Sequence, residues 1–98
     1  MHARVTTLTM DPSTIDEVTA RLESEEVPSF EQLDGYKGMT VVADRQSGKT
    51  IALTFWESED AMRDSEEAVK GARQRAVQTG RAPEPQVDRY EVVLDTMA

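Results

Sequence analysis

Two short runs in the middle of the chain, residues 38–43 and 50–56, carry apolar or weakly polar side chains at successive positions. In a strand, neighbouring side chains point to opposite faces. A run such as Ile51-Ala52-Leu53-Thr54-Phe55-Trp56 therefore makes both faces of its sheet apolar. Between the runs lies Asp44-Arg45-Gln46-Ser47-Gly48-Lys49, a short polar segment with glycine near its end. That pattern predicts a hairpin in which Gly48 supplies the positive φ. A sheet built on such a hairpin needs cover on both sides.

The flanks supply the rest of the fold. Residues 3–10 are rich in β-branched types and predict a first strand. Asp11-Pro12-Ser13 punctuates it, and Ser13 followed by Asp16 resembles a capping box. Ile15, Val18 and Leu22 then recur at helical spacing, with Glu17–Arg21 and Arg21–Glu25 as i,i+4 pairs on the wet side. Pro28 interrupts the helix, and Phe30 and Leu33 extend its stripe in a second short piece. Asp34-Gly35 ends it. Ser58 is a good N-cap for a second helix with the stripe Met62, Ser65, Val69, Ala72 and Ala76. Its acids come early and its bases late, which suits the helix dipole. Gly80, Pro83 and Pro85 form a loop, and residues 87–94 predict a last strand with Tyr90, Val92 and Leu94 on one side.

The order βαββαβ is that of a ferredoxin-like α+β fold with a four-stranded antiparallel sheet. The 98 residues make one domain, 1–98. Two helices shelter one face of the sheet. The other needs a partner, and a second copy about a two-fold axis is the simplest. The expected assembly is a homodimer through the open sheet face.

Composition removes several functions. There is no cysteine, so disulfides and thiolate chemistry are out. A formal net charge of −8 repels phosphate backbones and argues against nucleic acid. No apolar run approaches the roughly 18 residues that span a membrane. The first residues lack a signal-peptide pattern, so the expected location is cytoplasmic. Glu23, Glu25, Glu26 and Glu31 lack the spacing of a calcium loop and read as a solvated face, so no metal is expected. Ser47-Gly48-Lys49-Thr50 lacks the upstream glycine and following helix of a phosphate loop. No nucleophile-base-orienter set stands out, and the catalytic residues stay unknown.

Three segments carry a family resemblance: Gly35-Tyr36-Lys37-Gly38 before the second strand, Ala43-Asp44-Arg45-Gln46-Ser47-Gly48 at the hairpin, and Thr54-Phe55-Trp56-Glu57-Ser58-Glu59-Asp60-Ala61-Met62 entering the second helix. Together they resemble the antibiotic-biosynthesis-monooxygenase-like branch of the dimeric α/β-barrel superfamily. The resemblance implies a ligand pocket between sheet and helices, and a small apolar or aromatic ligand. It allows a monooxygenase that needs no cofactor and acts on a small aromatic or polyketide-like compound. It equally allows a non-catalytic barrel that binds a ligand or only assembles.

The resemblance makes Trp56 a pocket residue. A packed aromatic that anchors the second helix is the other reading, and both stay open. Tyr36 and Tyr90 are further pocket-lining candidates, since a phenol can hydrogen-bond a ligand, and Thr7 is a fourth. Arg4 and Arg89 lie on strands, where each needs a partner or water. His2 is the only histidine and is expected to be an exposed terminal residue. Haem-handling relatives take an axial histidine from the second helix. This chain has none there, which disfavours haem.

Overall fold

In the computed structural model, which describes residues 1–97, four strands form one antiparallel sheet in the order β2-β3-β1-β4. They are β1 (His2–Thr9), β2 (Tyr36–Ala43), β3 (Lys49–Trp56) and β4 (Gln86–Glu91). The ferredoxin-like fold is as expected. Gly48 closes the β2–β3 hairpin with φ +84°, and its N–H donates to the Asp44 carbonyl at 2.8 Å.

The first helical layer comes in pieces. Asp11, rather than Ser13, caps it, its carboxylate accepting the Ser13 N–H at 2.9 Å ahead of a 3-10 turn at Pro12–Thr14. Helix α1 (Ile15–Arg21) follows, then a π-helical stretch at Leu22–Glu26 and helix α2 (Val27–Glu31). Pro28 sits in the first turn of α2, where its missing N–H costs little. The Val27 N–H reaches back five residues to the Leu22 carbonyl.

The second layer is also divided. Helix α3 (Glu59–Asp64) is capped by Ser58, whose hydroxyl accepts the Ala61 N–H at 3.1 Å. Helix α4 (Glu66–Gly80) follows after a break at Ser65 that the stripe did not predict. At that joint the Met62 carbonyl accepts both the Ser65 hydroxyl at 2.6 Å and Arg4 Nη2 at 2.7 Å. A side chain from β1 thus takes up a helix carbonyl where the axis changes.

The core divides into two clusters. One gathers Phe30, Trp56, Met62, Val69 and Ala72. The other gathers Leu8, Met10, Ile15 and Val18. Strand register assigns the opposite face of the sheet: Val5 lies opposite Leu53, Ala3 opposite Phe55 and Tyr90, and Val42 opposite Ile51. Among the described residues no helix covers that face, and Val42 and Tyr90 are exposed.

Four expectations need correction. Regular pairing of β4 ends at Glu91 rather than at residue 94, because β1 begins at His2 and leaves only a Val92 N–H bond to the Met1 carbonyl beyond it. Val93, Leu94 and Met97 project into solvent. His2 belongs to β1 and is half-buried rather than exposed. Glu26 is buried, not solvated, because Arg75 crosses from α4 and clamps both its oxygens at 2.7 and 2.9 Å. Among the described residues, neither Glu17–Arg21 nor Arg21–Glu25 forms an ion pair; Arg45 pairs with Asp16 and Arg63 with Glu59 instead. Among the described residues, no helix is long and apolar enough to cross a membrane.

Candidate functional site

The two core clusters do not close completely on each other. Between sheet and helices, where they meet, lies a cavity of about 60 Å³. Thr6 and Leu8 of β1, Met39 of β2, and Ala52 and Thr54 of β3 form its floor. Leu22, Phe30 and Val69, Ala72, Arg73, Ala76 of α4 form its roof. The void follows from side-chain size, because three of the facing positions are alanine. The wall is almost wholly apolar, and Thr6, Thr54 and Arg73 are the residues in it that carry polar groups. The Thr54 hydroxyl accepts the Trp56 indole N–H at 2.9 Å.

A charged cluster adjoins the Trp56 end. Arg4 is almost fully buried, with its guanidinium 5.8 Å from the Trp56 ring centroid. It donates to the Met62 carbonyl, to Ser65 Oγ at 3.2 Å and to Glu66 Oε2 at 2.8 Å. Burial pulls its pKa below the ordinary arginine value, against the opposing pull of Glu66. Arg89 donates to Glu66 Oε1 at 2.8 Å. Burial alone would raise the Glu66 pKa, but the Arg89 hydrogen bond and the charges of Arg4 and Arg89 hold it below the usual carboxylate value. Arg4 and Arg89 therefore find their partner within the chain.

The four candidates taken from the sequence do not converge. Trp56 has no exposed surface and packs in the core, and its one polar atom is engaged by Thr54. Tyr36 stands edge-on to it, ring centroids 5.4 Å apart, and the Phe30 ring lies 6.1 Å from that of Tyr36. Burial, then the Glu31 charge, push the Tyr36 phenol above its ordinary pKa. Thr7 and Tyr90 lie on the opposite face of the sheet, and Tyr90 is more than half exposed. None of the four is in the cavity wall. Arg73, which is, went unnoticed in the sequence. Its signal was there: it lies four residues after Val69, on the buried side of an otherwise polar-backed helix.

The residues present do not fit a haem. Helices α3 and α4 contain no histidine, and the cavity is far too small for a porphyrin. Among the described residues, no group of three histidine, aspartate or glutamate side chains is placed to hold a metal ion.

The family model for antibiotic biosynthesis monooxygenase matches residues 1–74. An uncharacterised protein of Mycobacterium tuberculosis is 38% identical over 76 residues, which are 78% of this chain and 32% of that protein. A second from the same organism is 33% identical over 92 residues, 94% of this chain and 41% of that protein. The chain thus spans well under half the length of these curated relatives. Among solved structures, a monooxygenase of Streptomyces coelicolor in complex with nanaomycin D superposes with a TM-score of 0.75 at 17% identity, covering 97% of this chain and 92% of that one. A haem degrader of Mycobacterium tuberculosis with two haems bound reaches 0.70 at 19% identity over 98% and 99% of the two chains. A cofactor-independent oxygenase from Streptomyces nogalater reaches 0.67 at 18% identity, covering 99% and 97%. At such identities the likeness is one of fold.

Proposed function

The chain belongs to the antibiotic biosynthesis monooxygenase family, and from that premise we propose that it oxygenates a small aromatic or polyketide-like compound without a cofactor. The supporting observation is the cavity between sheet and helices, apolar apart from Thr6, Thr54 and Arg73. Such chemistry asks little of the protein. When a ring-flanked CH2 becomes C=O, the carbon gives up the four electrons that convert O2 into the new carbonyl oxygen and one water. The protein need only exclude bulk water, hold the substrate and stabilise its anion. On this reading Trp56 and Tyr36 back the cavity rather than touch the substrate.

A second reading, a non-catalytic ligand-binding or purely structural barrel, is favoured by size. The cavity of about 60 Å³ is well below the roughly 150 Å³ that admits benzene. A benzene-sized substrate would need the lining side chains to move apart. Oxygen consumption over a panel of reduced, anthrone-like substrates separates the two. The oxygenase consumes oxygen, and Ala52→Leu, which fills the cavity, abolishes uptake while the protein stays folded. Wild-type protein inert over the whole panel favours the second reading.

The working unit is a homodimer. A second copy would cover Val5, Leu53, Phe55 and Val42 on the open face, and the exposed Val93, Leu94 and Met97 lengthen the surface available. About 800 Å² per subunit is the expected scale. Light scattering at micromolar concentration tests it, and a well-folded monomer there refutes it.

A further inference from the structure

Three arginines meet one carboxylate beside the cavity, and each of its oxygens already accepts from one of them. Glu66 Oε2 accepts from Arg4 and Oε1 from Arg89, both at 2.8 Å. Arg73 comes third. Its Nη2 lies 3.6 Å from Glu66 Oε1, beyond hydrogen-bond reach, and its Nη1 is buried with no partner. The two companions are better served. Arg4 also has the Met62 carbonyl and Ser65, and Arg89 is half exposed to water. The Arg73 side chain is only 14% exposed. Leaving an N–H of a cation without an acceptor at that depth costs stability. The chain has 19 acidic residues, yet among the described ones only Glu66 comes within ion-pair distance of Arg73.

Arg73 also stands at a boundary. Inward it lines the apolar cavity. Outward it lines a groove of about 690 Å³ between α4 and the loop before β4, with Lys70 and Val77 on the helix side and Glu84, Pro85 and Val87 opposite. We infer that Arg73 is an anion-binding residue, and that the ligand of this site is a small apolar molecule bearing one oxyanion, its body in the cavity once the lining side chains shift to admit it and its charged oxygen on Arg73 Nη1. Lys70 adds a second positive charge on the helix side, and Glu84 disfavours an anion resting against the loop. This shares with the proposed function the choice of cavity, and does not depend on oxygen chemistry. It fits that chemistry, since a carbon must pass through an anion before giving electrons to O2, and a fixed cation in a dry wall stabilises it.

Benzoate and benzamide, matched in shape and different in charge, are the probes, titrated into the full chain and followed by NMR shifts. Wild-type protein binds benzoate about tenfold or more tighter than benzamide. Arg73→Met brings the two within about twofold, and Arg73→Lys keeps part of the preference. Arg73→Met also melts at or above the wild-type temperature, because it removes a buried N–H that has no acceptor while Glu66 keeps Arg4 and Arg89. A melting temperature that falls while the preference survives makes Arg73 purely structural and overturns the inference. So does equal binding of both probes by wild type, or binding of neither. A benzoate preference in a protein that consumes no oxygen counts against the oxygenase alone. Oxygen uptake with only uncharged substrates counts against this role of Arg73 alone.

Discussion

The two core clusters are built on different principles. Around Trp56 the packing is aromatic, and the polar atoms are tied inward: the indole to Thr54, Arg4 to the α3–α4 joint and to Glu66. Around Met10 the packing is aliphatic, and backbone holds it. The Met10 N–H donates to the Gly48 carbonyl at 3.0 Å and the Asp11 N–H to the Gly80 carbonyl at 2.9 Å. A Cβ at Gly80 would stand 2.9 Å from that of Met10. One half is thus fixed by directional side-chain bonds, the other by close approach of main chain. The cavity lies at the seam, where neither mechanism fills space. The contrast shows how a small domain can leave a site open without loosening either half.

The largest expected break is in the aromatic half. Trp56→Ala removes its central side chain and should cost about 3–5 kcal/mol in urea unfolding. A cost under about 1 kcal/mol would mean that Trp56 does not anchor this cluster. In the aliphatic half, Gly48→Ala should cost about 2–3 kcal/mol, because alanine resists the positive φ and its Cβ would fall 1.9 Å from the Met10 carbonyl oxygen. Gly38→Ala is the control. Gly38 also has a positive φ, +130°, but a Cβ there meets nothing within 4 Å. Equal losses at Gly48 and Gly38 would show that backbone strain, not close packing, governs Gly48.

The smallest effect is electrostatic and confined to the Trp56 side. Glu66 has a folded-state pKa below the ordinary glutamate value of 4.5. Its contribution is complete above that value and fades as pH falls toward the lower folded pKa. Acid titration of stability should therefore show a loss below about pH 4.5 that Glu66→Gln flattens. An unchanged acid limb in that variant would assign the loss to other carboxylates.

Much of the architecture was legible in the order of residues. The hairpin at Gly48, the cap at Ser58 and the buried stripe of Met62, Val69 and Ala72 depend on neighbours within a few positions, where φ preference and helical or strand period act directly. The two-sided apolar strands likewise announced a sheet with one face unsheltered. The site was not legible in this way. Trp56 and Tyr36 do meet, edge to face, but Thr7 and Tyr90 went to the other face, and face depends on register, which a single-residue slip reverses.

Local pattern determined the elements of this protein, their order and their apolar sides. Tertiary structure alone decided which charges meet and where space is left. Arg4 and Glu66 are 62 positions apart and Glu26 and Arg75 are 49 apart, so no periodicity joins them. Their meeting, and the gap beside three alanines where Arg73 Nη1 finds no acceptor, follow from how the helices settle on a twisted sheet. That settling sums many weak contacts over the whole molecule and is written in no short stretch of it.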